Sequence, residues 1–206
     1  MTRKVILNLG AGNKYYRGQD ANTLAINVDA VKADPEKLKK KVLDIDLIDK
    51  EFCEGFTPTD GEVIYHESDI AKLKFIEDSI ADEAHGFHVI EHFYVYDVPE
   101  ILKEWLRVLK PGGILVLEQP NVLKCAINLL QASTLKDEKM WYSYGLLGFY
   151  GKQDPKEPLM AHKYGYFPDL LGKLMRDAGF EMVRQEKATT HAGEARDFRM
   201  VGRRPL

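Results

Sequence analysis

The feature that most constrains the fold is a short apolar run that stops at a glycine turn near the start of the chain. Residues 5–9 have the sequence VILNL and are followed directly by GAG at 10–12. An unbroken run of this length is typical of a buried strand, and glycines permit the tight turn that must follow it. A second apolar run at 24–28 ends in Asp29. Strand, glycine turn, strand and acid in this order predict the nucleotide-binding half of a doubly wound α/β fold.

Alternating strands and helices continue along the rest of the chain. Further strands are predicted at 62–66, 84–89, 114–117, 181–186 and 197–202. Helices predicted from apolar residues at helical spacing lie at 97–109, 122–131 and 168–178. Uniformly apolar strands such as ILVL at 114–117, alternating with helices, indicate a parallel sheet covered on both faces. We predict one domain over 1–206 with a mostly parallel, seven-stranded sheet, whose antiparallel last strand follows a hairpin-like connection around His191.

The helix at 97–109 carries recognisable start and stop patterns. Asp97 and Glu100 have the D-x-x-E spacing of a capping box, which satisfies backbone donors at a helix N-terminus. The sequence KPGG at 110–113 follows the helix, and glycine and proline commonly end one. We therefore expect the next strand to begin only at residue 114.

Charge and cysteine content exclude several classes of protein. The chain has 29 basic and 32 acidic residues, and its main basic block is KKK at 39–41. We interpret this block as a solvated helix end within the polar segment 34–60, which disfavours a dedicated nucleic-acid binder. Cys53 and Cys125 lie far apart without a CxxC, so neither a disulfide framework nor a thiolate zinc site is predicted.

Location in the cytoplasm is expected from the same sequence. The opening MTRKVILNLGAG lacks the longer apolar region of a signal peptide. No run of about 18 apolar residues occurs, so no membrane-spanning helix is predicted. Two separated cysteines fit a reducing compartment.

The spacing behind the glycine turn narrows the kind of nucleotide. Asp29 lies 17 positions after Gly12, near the spacing of about 20 that a ribose-binding acid has in such a unit. The third glycine of the dinucleotide pattern is missing, because Lys14 and Tyr15 stand in its place. A pyrophosphate would therefore be poorly held, which disfavours NAD.

Several blocks together resemble the class I S-adenosylmethionine-dependent methyltransferases, most closely a small subgroup with LNLGCG-type openings. The blocks are NLGAG at 8–12, INVDA at 26–30, ESDIAKLKF at 67–75, HVIEHF at 88–93, WLRVLKPGGILVLEQPN at 105–121 and HKYGYFPDLLGKLMRDAGF at 162–180. The segment RVLKPGG with its strand and PN is the most specific of them, because Rossmann dehydrogenases lack it. The resemblance implies a Rossmann-like methyltransferase fold over nearly the whole chain, with S-adenosyl-L-methionine as cofactor.

The resemblance also implies a role for individual residues. The backbone of Gly10, Ala11 and Gly12 would contact the methionine part of the cofactor, and Asp29 would bind the ribose diol. Asp69 and the Ile70 amide would contact the adenine edge. Phe87 and His88 would line the region of the methionyl amine. His92 would lie one step further out, towards the acceptor. Asn8 stands where most of the class carries an acid, so a charge pair with the methionyl ammonium is lost there.

Asn8 and the irregular segment 67–83 motivate an alternative function. A protein of the same fold that binds S-adenosylmethionine without catalysis, or that regulates another protein, would carry the same blocks. The acceptor of an active enzyme is not identified by the sequence, and a small molecule or a sugar is favoured over nucleic acid.

The sequence HVIEH at 88–92 also matches H-x-x-E-H, the inverted signature of zinc proteases. Zinc chemistry requires these residues on one helix and a third ligand further along the chain. Here the segment follows a predicted strand and no third ligand is obvious, so no metal is predicted and a zinc hydrolase is a remote alternative. A structural alternative is that His92 caps the next helix and Glu91 pairs with a nearby base.

The segment 122–168 is predicted to be a helical and aromatic lid, or insertion, over the acceptor. Its aromatic residues are Trp141, Tyr142, Tyr144, Phe149 and Tyr150, in a stretch punctuated by glycines. An oxygen or nitrogen acceptor must lose a proton, and histidine is the natural base near neutral pH. His92 and His162 are the candidate bases, with His191 third. The oligomeric state is left open.

Overall fold

The computed structural model of the chain describes residues 3–12, 15–16, 22–30, 42–43 and 63–206. The expectations for the lysine block at 39–41, for Cys53 and for most of the segment 34–60 fall outside these residues. No helix in the part that is described combines the length and the apolar character needed to cross a membrane.

One central sheet organises the described part of the chain. The strands are β1 Lys4–Leu9, β2 Tyr15–Tyr16, β3 Thr23–Asp29, β4 Val42–Leu43, β5 Val63–Glu67, β6 Ala81–Phe87, β7 Leu109–Pro120, β8 Glu181–Glu186 and β9 Asp197–Arg203. Seven of these form the sheet in the order β5-β3-β1-β6-β7-β9-β8, while β2 and β4 pair separately. The strands from β5 to β7 pair in parallel, and β9 is antiparallel to both neighbours. The predicted Rossmann-like fold with its antiparallel last strand is confirmed.

The helices agree in position with the sequence patterns. They are α1 Val98–Val108, α2 Val122–Leu135, α3 Leu147–Tyr150 and α4 Pro168–Asp177, with a π-helical turn at Met140–Leu146. Three short 3-10 turns lie at Ile90–His92, Pro158–Met160 and Gly193–Ala195. Helices α1 and α4 pack against each other; α1 also contacts β7, and α4 contacts β8 and β9.

Trp105 lies at the centre of the main core, because the apolar stripe of α1 turns it inwards. Its side chain is fully buried among residues from the sheet and from α1 and α4. The indole Nε1 donates a hydrogen bond of 2.8 Å to the carbonyl oxygen of Ile70. A buried carbonyl without a donor costs about 1–3 kcal/mol, so this bond fixes the loop after β5 as well as the core.

The capping-box prediction at the start of α1 is wrong. Asp97 has helical backbone angles, φ −86° and ψ −24°, and its side chain makes no capping hydrogen bond. An N-cap residue normally has extended angles, which aim its side-chain oxygen at the first amides of the helix. Glu100 instead pairs with Lys103 one turn along the helix, at 2.7 Å.

The expected break at 110–113 is also wrong, since β7 begins directly after α1 and includes these residues. The register with β6 shifts between Ala81 and Glu83, so the extra residues are absorbed as an irregularity of the sheet. Gly112 has a φ of +79°, and its amide donates to the carbonyl oxygen of Arg204. Positive φ is what glycine permits, so here the glycine bends a strand rather than ending a helix.

Strand β6 begins at residue 81 and not at the expected residue 84, because its first residues include charged side chains that the apolar pattern does not predict in a strand. Glu83 is buried and contacts Lys4 Nζ at 2.7 Å and His85 Nε2 at 3.1 Å. Burial would raise the pKa of Glu83, but the hydrogen bonds and charges of His85 and Lys4 outweigh it and lower the pKa to about 2. Pairing across the sheet therefore allows a charged residue inside a buried strand.

Replacing Trp105 by phenylalanine is expected to lower the free energy of unfolding by about 2–4 kcal/mol, from lost volume and the unpaired Ile70 carbonyl. Urea denaturation measures the change. Tyr96→Phe is the matched control, since Tyr96 is 92% exposed and its loss of a hydroxyl should change stability by less than about 0.5 kcal/mol. Equal effects of the two substitutions would contradict the role given to the buried bond.

Candidate functional site

The carboxyl ends of β1, β3, β5 and β6 lie along one edge of the sheet, because these strands are parallel. Strand β1 has β3 on one side and β6 on the other, so the direction of winding reverses at β1. Ligands of open α/β sheets bind outside the carboxyl ends of the strands at such a switch point. The segments that follow these four strands therefore form the candidate site.

The glycine turn after β1 is joined to the end of β3. Gly10 and Gly12 both have positive φ, +70° and +53°. The amide of Gly12 donates a hydrogen bond of 2.7 Å to Asp29 Oδ2. A β carbon at residue 10 would overlap the side chain of Val89, so only glycine permits this approach. Ala11 is buried between the two glycines.

Asn8 lies inside the sheet, immediately before the turn. It is buried, and its Nδ2 donates a hydrogen bond of 2.8 Å to Asn27 Oδ1. Asn27 Oδ1 also accepts the amide of Tyr16, and its Nδ2 donates to the Tyr16 carbonyl oxygen. Asn8 thus belongs to an amide network that connects β1, β2 and β3.

Asp69 and Ile70 lie in the loop after β5. Asp69 is exposed and its Oδ1 accepts a hydrogen bond of 2.9 Å from the amide of Ala71. The Ile70 side chain is buried and points to Gly10, 3.7 Å from where a β carbon there would lie. The structure therefore brings the loop predicted to read adenine next to the glycine turn.

Phe87 is the last residue of β6, and His88 follows it beside the C-terminal strand β9. The guanidinium of Arg199 lies over the Phe87 ring, 5.5 Å from its centroid. His88 has a φ of +54°, and its side chain is only 12% exposed. Its Nδ1 lies 3.4 Å from Glu91 Oε1 and its Nε2 lies 3.5 Å from Asp197 Oδ2. His88 is therefore placed between two carboxylates.

Those carboxylates keep His88 charged. Burial would lower the pKa of His88, but its contacts with Asp197 and Glu91 outweigh burial and raise the pKa to about 9. Burial would raise the pKa values of Glu91 and Asp197. Contact with His88 outweighs burial and lowers both pKa values, and Arg196 lowers that of Asp197 further. At neutral pH the site therefore contains an imidazolium between two carboxylates.

Glu91, His92 and His162 meet where the turn after β6 contacts the predicted lid. The carbonyl oxygen of Glu91 accepts the amides of Lys163 and Tyr164, which holds the two segments together. Ligand atoms of Glu91, His92 and His162 all lie within 4.8 Å of one another. The two candidate bases are thus neighbours although 70 positions separate them in the sequence.

Two alternatives for this segment are wrong. His92 does not cap α1, since that helix has no side-chain cap and His92 Nδ1 instead donates to the Ala161 carbonyl oxygen at 3.1 Å. The helical H-x-x-E-H arrangement is absent as well, because only Ile90–His92 are helical and His88 has left-handed angles. The pairing expected for Glu91 is confirmed, with His88 as the partner.

The third candidate base, His191, lies apart from the other two. Its exposed ring packs against His88 with 3.9 Å between ring centroids. Among the predicted lid aromatics, Trp141, Tyr142 and Tyr150 are exposed. They lie on the π-helical turn and on α3, close in sequence to Gly148, whose carbonyl oxygen accepts a hydrogen bond from His162 Nδ1.

Buried acids behind the site were missed by the sequence analysis. Glu118, in β7, pairs with Arg199 at 2.9 Å, and neither side chain is exposed. Glu118 also accepts hydrogen bonds from the amides of Thr189 and Thr190. A single acid at the end of an apolar strand has no distinctive spacing, so only the fold shows what it contacts.

Comparisons with known proteins agree with the fold. Residues 7–117 match the model of a family described as a methyltransferase domain. A SAM-dependent methyltransferase structure from Methanosarcina mazei aligns with a TM-score of 0.59 and 18% identity, covering 100% of this chain and 94% of that chain. A SAM-dependent methyltransferase structure from Archaeoglobus fulgidus aligns with a TM-score of 0.56 and 16% identity. The alignment covers 98% of this chain and 86% of that chain.

A third similar structure contains ligands. It is 1,6-didemethyltoxoflavin-N1-methyltransferase from Burkholderia thailandensis, with 1,6-didemethyltoxoflavin and S-adenosylhomocysteine bound. The TM-score is 0.59 at 15% identity, covering 100% of this chain and 72% of that chain. No curated protein matches the chain.

The charge of His88 predicts how stability depends on pH. Because its pKa is raised from 6.5 to about 9, its contribution is fully present below pH 6.5 and is lost as pH rises through 9. The unfolding free energy of the protein minus that of His88→Asn should therefore fall over this window, by at most about 3 kcal/mol. Asparagine suits the left-handed backbone and carries no charge. Denaturation at a series of pH values measures the difference, and a difference independent of pH would contradict the assignment.

Proposed function

We propose that this chain, which belongs to the methyltransferase-domain family, transfers a methyl group from S-adenosyl-L-methionine to a small-molecule or sugar acceptor. The observation that carries the proposal is the junction of the β1 and β3 ends, where the Gly12 amide meets the Asp29 carboxylate. This junction lies at the switch point of the sheet, where nucleotide ligands bind.

The residues at the strand ends fit the cofactor. Gly10 leaves the backbone of the turn open to close approach, and Asp29 supplies a carboxylate suited to ribose hydroxyls. Asp69 and the Ile70 amide would contact adenine, and Phe87 and His88 would line the methionyl end. S-adenosylmethionine supplies a methyl group on a sulfonium, which is already activated for displacement.

Asn8 contributes to this site through the amide network with Asn27 rather than through charge. Glu91 and Asp197 supply carboxylates beside the end of β6, and both contact the His88 cation. We propose that the methionyl ammonium is held by backbone carbonyl groups of the turn, with these carboxylates as more distant counter-charges.

The chain's own contribution to transfer is positioning, exclusion of water and removal of a proton. Holding two reactants in line is worth about 7–11 kcal/mol in well-oriented systems. His92 and His162 are the candidate bases, and burial lowers the pKa of His162, so that its imidazole is neutral at pH 7. The lid over 122–168 is proposed to cover the acceptor, with its exposed aromatic side chains as apolar contacts.

The acceptor class rests on the charge of the chain rather than on any relative. The chain has 32 acidic and 29 basic residues, and the contacts at the candidate site include carboxylates and histidines. A small molecule or a sugar suits such a site better than nucleic acid. The cytoplasm is the proposed location, since the buried Cys125 is a free thiol.

A catalytically inactive relative that only binds the cofactor is the second candidate, favoured by Asn8 at the position of the usual acid. The two candidates differ in one observable. An active enzyme releases S-adenosylhomocysteine in the presence of an acceptor, whereas an inactive relative binds both cofactor forms and releases nothing.

Replacement of Asp29 by alanine is expected to weaken binding of S-adenosylmethionine and S-adenosylhomocysteine by about 10–100-fold, because a charged hydrogen-bond acceptor is lost. Isothermal titration calorimetry measures both affinities. Asp177→Ala is the control, since Asp177 is an exposed acid at the end of α4. Failure of the unmodified protein to bind either compound at millimolar concentration would refute the proposal.

Single replacement of His92 or His162 by alanine is expected to lower turnover by about 10²–10⁴-fold if that residue activates the acceptor. Release of S-adenosylhomocysteine is measured over a panel of small hydroxyl, amine and sugar acceptors, and then with the best of them. His66→Ala, which removes an exposed histidine stacked on Phe75, is the matched control. Full turnover in both single variants would contradict the assignment.

A further inference from the structure

We propose that Glu91, His92 and His162 form a binding site for one divalent transition-metal ion, with one carboxylate oxygen and two imidazole nitrogens as ligands. The site is independent of methyl transfer, because it rests on the arrangement of these three side chains alone. It lies at the end of β6, beside the segment that the proposed cofactor would occupy.

Distances within the group are close to those of a metal centre. His162 Nε2 lies 3.8 Å from Glu91 Oε1, and all three ligand atoms lie within 4.8 Å of one another. In a tetrahedral site with bonds of about 2.1 Å, ligand atoms are separated by about 3.4 Å. The side chains therefore need to draw together by about 1 Å, which small rotations of the rings and the carboxylate provide.

Backbone carbonyl groups orient both histidines for binding. His92 Nδ1 donates to the Ala161 carbonyl oxygen at 3.1 Å, and His162 Nδ1 donates to the Gly148 carbonyl oxygen at 3.0 Å. A neutral imidazole with its proton on Nδ1 has its lone pair on Nε2, the atom that would bind the metal. Metal-binding histidines almost always donate their other ring N–H to a carbonyl or a carboxylate, which fixes the tautomer and the ring orientation.

Glu91 supplies an anionic ligand that forms an ion pair with His88 but accepts no hydrogen bond within the described residues. Its side chain is 1% exposed, and within the described residues neither oxygen accepts a hydrogen bond. The closest nitrogen atoms are Nδ1 of the His88 cation, 3.4 Å from Oε1, and Nε2 of His162, 3.8 Å from Oε1. Buried carboxylates are normally hydrogen-bonded or coordinate a metal, and a bound ion would satisfy this one.

Two histidines and one carboxylate are the ligand set of several catalytic metal centres. Zinc sites of this composition keep a fourth position for water or substrate, and iron(II), cobalt(II) and nickel(II) accept similar ligands. An ion in this position would lower the pKa of a coordinated hydroxyl group. Because a bound ion would occupy both Nε2 lone pairs, His92 and His162 would act as ligands in the metal-bound protein and as candidate bases in the metal-free protein.

The fold also explains why this set was missed from the H-x-x-E-H pattern. That pattern places His88 and His92 on one helical face, and the third ligand was expected further along the chain. In the structure, the Nε2 atom of His88 faces Asp197. The second histidine of the ligand set is instead His162, which comes from the segment 122–168. Glu91 and His92 of the pattern therefore belong to the proposed ligand set, and the third ligand, His162, lies 70 positions after His92.

Metal binding by the full chain tests the proposal directly. The protein is stripped with a chelator, and Zn²⁺ and Co²⁺ are titrated by calorimetry and, for Co²⁺, by visible absorption. We expect one equivalent to bind at micromolar concentration or tighter, with Co²⁺ bands as intense as those of four- or five-coordinate sites. Glu91→Gln, His92→Ala and His162→Ala should each weaken binding at least tenfold.

Controls separate a specific site from a general effect. His66→Ala removes an exposed histidine outside the group and should bind as the unmodified protein does. Circular dichroism of each metal-free variant verifies folding, and Glu91→Gln keeps the size of the side chain if an alanine variant unfolds. Binding of S-adenosylhomocysteine, measured separately, reports on the proposed function, so the two proposals fail independently.

Three outcomes would overturn the metal site. The first is that the metal-free protein binds neither Zn²⁺ nor Co²⁺ at micromolar concentration. The second is full metal binding in all three folded single variants, and the third is equal weakening of metal binding by His66→Ala. A thermal unfolding temperature that rises with Zn²⁺ in the unmodified protein, but not in the folded Glu91→Gln variant, would support it.

Discussion

Val89 packs against Gly10 so closely that the site depends on this contact. A β carbon at residue 10 would overlap the Val89 side chain, so the glycine turn and the turn after β6 can adjoin only because residue 10 is glycine. Val89 is followed by the short turn that carries Glu91 and His92. The nucleotide side of the site and its histidine side are therefore set at a fixed distance by one apolar contact.

Pairs of buried charged residues also stabilise the strands that carry the candidate site. Glu118 with Arg199, Asp197 with His88, and Glu83 with Lys4 each place an acid against a base inside or at the edge of the sheet. Removing one member of such a pair leaves an uncompensated charge, which costs far more than the pair itself contributes. The first pair joins β7 to β9, the second joins the turn after β6 to β9, and the third joins β1 to β6.

Patterns that are local in the sequence predicted the fold well. The limits of β8 agree to the residue, those of β1 and β3 within one residue, and the antiparallel last strand was expected from a hairpin-like connection. Patterns whose structure depends on tertiary contacts gave wrong predictions. The glycines at 110–113 are typical of a helix end, yet here the C-terminal segment pairs with them and extends the strand.

The candidate site was only half predictable for the same reason. Gly10, Asp29 and Asp69 follow strands at recognisable spacing, so their meeting at one edge follows from a parallel sheet. The neighbourhood of His92 and His162 depends on how a segment 70 residues later folds back, and no local pattern encodes that. The roles of Glu118 and Asp197 likewise appear only when β9 is placed beside β7.

The segment 122–168 is attached to the turn after β6 mainly through main-chain groups. The Glu91 carbonyl oxygen accepts two backbone amides of this segment, and the ring of His92 donates to its Ala161 carbonyl oxygen. The ring of His162 is held within the segment by the Gly148 carbonyl oxygen. Hydrogen bonds between main-chain groups do not depend on the identity of most side chains around them. Substitutions among the exposed aromatic residues Trp141, Tyr142 and Tyr150 therefore leave the positions of His92 and His162 unchanged. The surface of this segment can diverge in sequence without rebuilding the cluster of Glu91, His92 and His162.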